Sequence, residues 1–450
     1  MIYRKVLIGF CVSQLLLFTA CSDKTTKEKP IEQEQIEKKE ESVTVAEQKA
    51  ALPDNFFLDN RMKLAEKIGN GSVLILYGKR NAEMTVVKNP DDQTKLGADR
   101  NFYYLTGIKD PEGIVVIRKE EDEIKETLYT SKDLKQSKEI SKIQTIKEIQ
   151  TFKKDQGNLL TESNVLYVDL GPLERTEIQI ISELQNEANK KGIAIQNIYP
   201  VLTTFRMVKT VDEINMIRDA ISVTNAGIKA MMKASITNKD EKDLEQVFRK
   251  ELKERNIKRM SFDPIIGGGK NSTDIHYLHN DQPIKPDDIV VTDVGAEYDY
   301  YAADITRTFP SDGTFTDRQR QIYEIVLKAQ EETIKAVRPG ITLMDLEKTA
   351  KSALTEGLIQ ANIISEESQL RDYYPHMVSH HIGLDVHDVT DFELPLQPGN
   401  VISIEPGIYL INEQLGVRIE DNLLITEGGN EILSKDLIKT VEEIESFMKP

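Results

Sequence analysis

The sequence predicts an α/β domain followed by an α+β domain, behind a short lead that belongs to neither. Length is the first ground, since a single hydrophobic core stops growing at roughly 250–300 residues and this chain has 450. The second is a change of pattern. Residues 53–204 alternate apolar runs with amphipathic stretches, whereas 205–450 mixes capped helices with short strands. The third is that all six histidines (His276, His279, His376, His380, His381 and His387) fall in the second domain.

The lead divides at Cys21. Arg4 and Lys5 form a positive n-region, and Val6 to Ala20 supply an apolar stretch too short to span a bilayer comfortably. Residues 1–20 therefore read as a signal peptide. The ending Phe18-Thr19-Ala20-Cys21 resembles a bacterial lipobox, with Phe18 standing where Leu is usual. That resemblance implies lipidation of Cys21 and a lipid-anchored protein of the cell envelope, facing the periplasm or the outer surface. The alternative is an ordinary signal peptide with a chance cysteine. Residues 21–52 read as a tether. Positions 23–50 hold eight acidic residues and six lysines and almost no large apolar residue, so ordering them would gain too little burial.

Within 53–204, Ser72–Tyr77, Gly113–Ile117, Glu126–Thr130 and Asn164–Asp169 read as strands. Asp133–Phe152 and Thr176–Lys190 carry helical spacing with charged outer faces. This domain has no His and no Cys, and reads as scaffold or substrate gating. After a break near Pro200–Thr210, Thr210 and Glu213 form a capping box ahead of Ile214, Ile217, Ile221 and Ile228. Further helices start at Lys239-Asp240, at Thr316 and at Thr342. Asp288–Val294, Ala302–Phe309, Asn400–Ile404 and Val417–Thr426 read as strands.

Composition narrows the chemistry. Net charge is −17, which argues against nucleic acid as partner. The only cysteines are Cys11 and Cys21, so neither a disulfide framework nor a Cys-ligated zinc site is available. Four carboxylates stand within or at the ends of apolar runs: Asp293, Asp304, Glu405 and Glu420. A buried carboxylate must be paired, protonated or metal-bound. Four in one domain beside clustered histidines point to a shared metal site. Two Asp, two Glu and one His are hard-to-borderline donors without thiolate. Such a set can bridge two divalent ions, Mn²⁺ first, with Zn²⁺ or Co²⁺ as alternatives, and two ions can activate water at neutral pH.

Asp293, Asp304, His380, Glu405 and Glu420, in that order and local context, resemble the ligands of the pita-bread metallopeptidases. The segments Thr292–Glu297, Tyr301–Pro310, Ser379–Asp388 and Ile404–Tyr409 are similar to those of the Xaa-Pro aminopeptidases (aminopeptidase P). Phe102–Gly107 is similar to the creatinase/prolidase N-terminal domain. The resemblance implies a pita-bread catalytic domain behind an α/β creatinase/prolidase-type domain. It also implies roles: Asp293 chelating one ion, Asp304 and Glu420 bridging two, His380 on the second ion, and Glu405 as ligand and proton shuttle. His276 and His387 match positions that contact substrate or stabilise the tetrahedral intermediate. His376 matches another active-site histidine, and Arg418 an arginine lining the site. His381 is read as shaping the substrate pocket, and Thr390 stands where Gly is usual. His279 matches nothing and reads as a loop residue. The implied reaction is hydrolysis of the N-terminal Xaa-Pro bond of peptides, with prolidase action on dipeptides or a non-catalytic peptide-binding module as alternatives. The implied partners are proline-containing peptides, a membrane reached through the lipid, and further copies of the chain in a homo-oligomer.

Overall fold

A computed structural model describes residues 50–449, apart from 80–97, 122, 162, 172–178 and 238. The signal peptide, Cys21 and nearly all of the tether lie outside the described residues. No described helix is long and apolar enough to cross a membrane.

The first domain runs α1 (Phe56–Lys67), β1 (Ser72–Tyr77), α2 (Arg100–Thr106), β2 (Ile114–Glu120), β3 (Glu123–Thr130), α3 (Leu134–Ser141), β4 (Thr145–Glu148), α4 (Phe152–Leu159), β5 (Val165–Val168), α5 (Gln179–Lys190) and β6 (Ala194–Asn197). Its strands form one mixed sheet, in the order β4-β3-β2-β1-β5-β6. The central strand β1 has no polar alternation because both of its faces are covered. Val73, Ile75 and Tyr77 pack with Leu166, Ile181 and Leu184. Leu74 and Leu76 join Leu64 and Phe102 on the other side. Each fully buried aliphatic side chain contributes about 1.5–3 kcal/mol.

One expected element is corrected here. Asp133–Phe152 is not a single helix: α3 ends at Ser141, with Lys142 in the left-handed region at φ 59°. The chain then buries Ile143 and pairs Thr145–Glu148 in parallel with β3. Sheet pairing takes the β-branched Thr145 and Ile146, overriding their helical spacing.

Helix α6 (Tyr199–Met207) contains the expected domain boundary at 204/205 and leads into the second domain. There α7 (Val211–Ser235) and α8 (Glu241–Glu254) pack together. Next come β7 (Arg259–Met260), β8 (Ile265–Gly268), β9 (Ile289–Val294), β10 (Ala296–Tyr298), β11 (Tyr301–Ala302) and β12 (Ile305–Pro310). A second helix pair, α9 (Asp317–Ala336) and α10 (Leu343–Gln360), precedes β13 (Val401–Ile404), β14 (Gly407–Leu410), β15 (Leu415–Arg418), β16 (Asp421–Thr426) and β17 (Gly429–Ile432), and α11 (Val441–Met448) ends the domain. The capping boxes at Thr210, Thr316 and Thr342 are all formed. The strands make small antiparallel sheets, β11-β10-β7, β12-β9-β8, β13-β16-β17 and β14-β15.

Two strands expected to be continuous are interrupted, each at an acid. Ala302–Phe309 breaks at Ala303-Asp304, and Val417–Thr426 breaks at Ile419-Glu420. At the first break Ala303 turns its N–H back to Ala296 O, while Asn422 Oδ1 accepts from Asp304 N. At the second, Glu420 N crosses to Thr306 O. Gly295 makes the first break possible, since a Cβ there would lie 1.9 Å from Ala303 O.

Candidate metal centre

Each acid reaches the centre from a different piece of chain. Asp293 stands on β9 opposite Thr306 of β12. Asp304 and Glu420 occupy the two strand breaks, and Glu405 follows the last residue of β13. The segment leading to His380 runs alongside β13: Glu405 N donates to Val378 O, Ser403 N to His380 O, and Ile382 N to Val401 O. That pairing brings His380 beside Glu405.

The five side chains expected as ligands converge. Ligand atoms of Asp293, Asp304 and Glu420 lie within 4.8 Å of one another, as do those of His380, Glu405 and Glu420. A third such group joins Asp304 and His380 to His387. His380 Nε2 is 3.3 Å from Asp304 Oδ2 and 3.2 Å from Glu405 Oε1. Its Nδ1 faces His381 O at 3.0 Å and must carry the proton there, which leaves Nε2 as the coordinating nitrogen.

Electrostatics show what the cluster lacks. Burial, then the charge of Asp293, raises the Asp304 carboxyl to about 8. Burial also pushes Glu420 well above the usual carboxylate range, helped by Asp304, Glu405 and Asp293. Burial works against the charge on Glu405 too, but its hydrogen bond with His380 holds it down at about 2. His380 is the counterpart: burial opposes its charge, and hydrogen bonds to Asp304 and Glu405 still carry it well above an ordinary imidazole. One imidazolium and the Arg418 guanidinium beside Asp293 cannot keep four crowded carboxylates all ionised. Two oxygens, Asp293 Oδ1 and Glu420 Oε1, are buried with no hydrogen-bond partner. Orphaned carboxylate oxygens inside a cluster of O and N donors fit divalent cations and little else.

A polar chain braces one flank. Arg418 Nη2 donates to Asp293 Oδ2 at 2.8 Å, and its Nη1 to Tyr409 Oη at 2.8 Å. Tyr409 Oη lies 2.9 Å from His376 Nε2, while His376 Nδ1 faces Met377 O at 2.9 Å. Burial lowers the His376 pKa and pushes the Tyr409 phenol up to about 12. The imidazole is therefore neutral, with its proton on Nδ1 toward Met377 O, and its Nε2 accepts a hydrogen bond from Tyr409 Oη. Arg418 Nε also donates to Thr306 Oγ1, which donates to Glu420 Oε2 at 2.9 Å.

The centre opens into a cavity of about 480 Å³ lined by His276, His376, His387 and Arg418 as well as by metal-site acids. His387 stacks edge-on against His380, 4.5 Å between centroids. Leu278, Met377 and Phe392 line the same cavity and are the exposed large apolar residues around it. His381 does not line it. Its ring is 1 % exposed and lies in the core, so it does not shape the pocket as expected. His279 is an exposed neighbour of Tyr277. Thr390 needs no positive φ, so Gly is not required at its place. Tyr409 was missed by sequence reasoning. Its signal was alternation: Gly407 pairs with Arg418 in the β14–β15 hairpin, and Tyr409 shares its face.

Comparison with known proteins agrees with this geometry. Residues 215–427 match the model of metallopeptidase family M24, and residues 57–167 the aminopeptidase P N-terminal domain. The chain is 31% identical over 428 residues to the Xaa-Pro aminopeptidase of Haemophilus influenzae, covering 89% of this chain and 98% of that protein. It superimposes on aminopeptidase P from E. coli with the inhibitor Pro-Leu at a TM-score of 0.79 and 27% identity, covering 89% of this chain and 99% of that one. The zinc-substituted E. coli enzyme in complex with product gives a TM-score of 0.80 at 28% identity, with the same coverage. Those structures carry the α/β N-terminal and pita-bread domains expected here.

Proposed function

Given that the chain belongs to metallopeptidase family M24, we propose that it is an Xaa-Pro aminopeptidase, a metal-dependent enzyme that removes the N-terminal residue from peptides with proline second. The observation that carries this reading is the pair of orphaned oxygens, Asp293 Oδ1 and Glu420 Oε1, within a five-residue donor cluster. The donor set supports two divalent cations, Mn²⁺ first and Zn²⁺ or Co²⁺ next, held by Asp293, Asp304, His380, Glu405 and Glu420. When bound, such cations supply Lewis acidity and make water a nucleophile at neutral pH.

The chain's own groups do the rest. Glu405 takes the proton of the attacking water and delivers it to the departing proline nitrogen. His387 and His276 face the scissile carbonyl and the flanking peptide. His376, Tyr409 and Arg418 fix the Asp293 carboxylate, which keeps the acidic cluster open to a free, positively charged N-terminus. Leu278, Met377 and Phe392 offer apolar surface to the proline ring and its neighbours.

A cleavage panel tests this. With Mn²⁺, Zn²⁺ or Co²⁺ added to protein stripped of metal, Xaa-Pro-Yaa tripeptides should lose their first residue, and acetylated peptides should not turn over. Turnover confined to Xaa-Pro dipeptides would make the protein a prolidase, and equal turnover of blocked peptides would exclude an aminopeptidase.

For location, the positive n-region, the short apolar stretch and the small residues before Cys21 support lipidation of Cys21 and a place in the cell envelope. One acyl chain anchors only marginally, so durable attachment takes several. The wild-type activity should sediment with membranes, and Cys21→Ser should move it to the soluble fraction or leave the precursor uncleaved. Wild-type protein found soluble with Met1 retained would remove the anchor from the proposal.

A further inference from the structure

His387 rides on a loop, Gly383–Asp388, that is held by cations at the domain boundary and, through Arg100 and Asn101, by the first domain. Asp388, the next residue, has a fully buried carboxylate that takes Lys209 Nζ at 2.9 Å and Arg206 Nη2 at 2.5 Å. Arg206 Nη2 also reaches Asp385 Oδ2, two residues before His387, at 2.8 Å. The loop closes tightly on this pair, for a Cβ on Gly383 would lie 2.2 Å from Asp388 Oδ2.

The far side of the network lies in the first domain. Arg206 Nη1 donates to Asn101 Oδ1 at 2.7 Å, and Asn101 Nδ2 donates to Asp169 Oδ2 at 2.7 Å. Arg100, its neighbour on α2, donates through Nε to Asp385 Oδ1 at 3.3 Å and through Nη2 to Glu297 Oε2 at 2.7 Å. The Arg100 guanidinium also lies 4.1 Å from the centroid of Tyr300. Tyr300 stacks on Tyr103 of α2 at 4.3 Å and holds φ at 78°, a costly conformation for a bulky residue. Buried ion pairs return little net stability. Glue between domains would need only apolar contact, whereas both ion pairs of Arg206 and one of the two of Arg100 end on the carboxylates that flank His387.

We propose that Arg100 and Arg206 are positioning residues: they carry the placement of the first domain to His387, so that the domain without a histidine sets the geometry of the site. The inference rests on the reading of His387 as a group that faces substrate.

The test uses the full chain loaded with Mn²⁺ and the tripeptide alanyl-prolyl-alanine. Arg100→Gln should lower kcat by about 10- to 100-fold, the range expected when a catalytic group shifts by about an ångström. KM and metal content should stay near wild type, while the melting temperature should fall, because the buried Glu297 loses its 2.7 Å partner. Asp385→Asn should give the same split from the catalytic side, which also covers failure of Arg100→Gln to fold. Arg100→Lys should recover part of the rate. In a His387→Ala background, Arg100→Gln should cost nothing further, because the effects of a residue and its positioner do not add. Wild-type kcat in both Arg100→Gln and Asp385→Asn would overturn the proposal, and so would two losses that simply multiply. If His387→Ala alone kept full activity, the role of His387 would fall and this inference with it. Metal-dependent cleavage by the wild type would still stand, since it is measured separately.

Discussion

Asp304→Asn should give a folded protein that binds almost no divalent cation and cleaves no Xaa-Pro-Yaa peptide. The amide keeps the size of the side chain but removes the charge that belongs to two of the donor groups around the centre. Metal analysis and thermal melting read the change directly. A cation that binds only the folded wild type stabilises it by about 2.7 kcal/mol when its free concentration is 100 times Kd. The variant should melt at one temperature whatever the cation concentration. Without metal the order should reverse with pH. The folded carboxyl titrates near 8 and the unfolded one near its ordinary value, so the folded wild type holds the extra proton between about pH 4 and pH 8 and loses stability as pH rises through that window. Asn does not titrate, so metal-free Asp304→Asn should gain on metal-free wild type toward pH 8. Wild-type metal content with wild-type rates would remove Asp304 from the centre.

Glu405→Gln should fail differently. Loss of a general acid–base group costs on the order of 10²–10⁴-fold in rate. Glu405 also contacts His380 Nε2 at 3.2 Å, so some loss of cation affinity should accompany it. Raising the cation concentration should restore occupancy and leave kcat low. A rate that returned fully at saturating cation would make Glu405 a ligand and nothing more.

Much of this was legible because it was local. Ser72–Tyr77 could be read to the residue, since an unbroken apolar run of that length is a strand covered on both faces. Thr210 and Thr316 announced their helices through Glu213 and Gln319, three residues on. The four acids of the site stood out because carboxylates in apolar surroundings need a reason, and His380 was singled out among six histidines by the family resemblance. What escaped depended on distant chain. Residues 145–148 became a strand because β3 offered an edge, which their own helical spacing concealed. The strand breaks at Asp304 and Glu420 arise from hydrogen bonds to residues more than a hundred positions away. The cations around Asp385 and Asp388 come from α2, α6 and Lys209 just after it, and no spacing in the sequence pairs them.

The scatter of the donors also governs how the protein matures. They stretch from Asp293 to Glu420, and the two strand breaks meet only after β12 and β15 have found each other. Closing loops of that length is slow, because the chain must surrender its freedom before any long-range contact rewards it. No short stretch of the unfolded chain holds a complete donor set, so a cation has nothing to grip until the second domain is assembled. Loading is thus a late event that follows folding and does not guide it. A chain that crosses a membrane unfolded would carry no metal with it, and would draw its cations from the compartment where it folds.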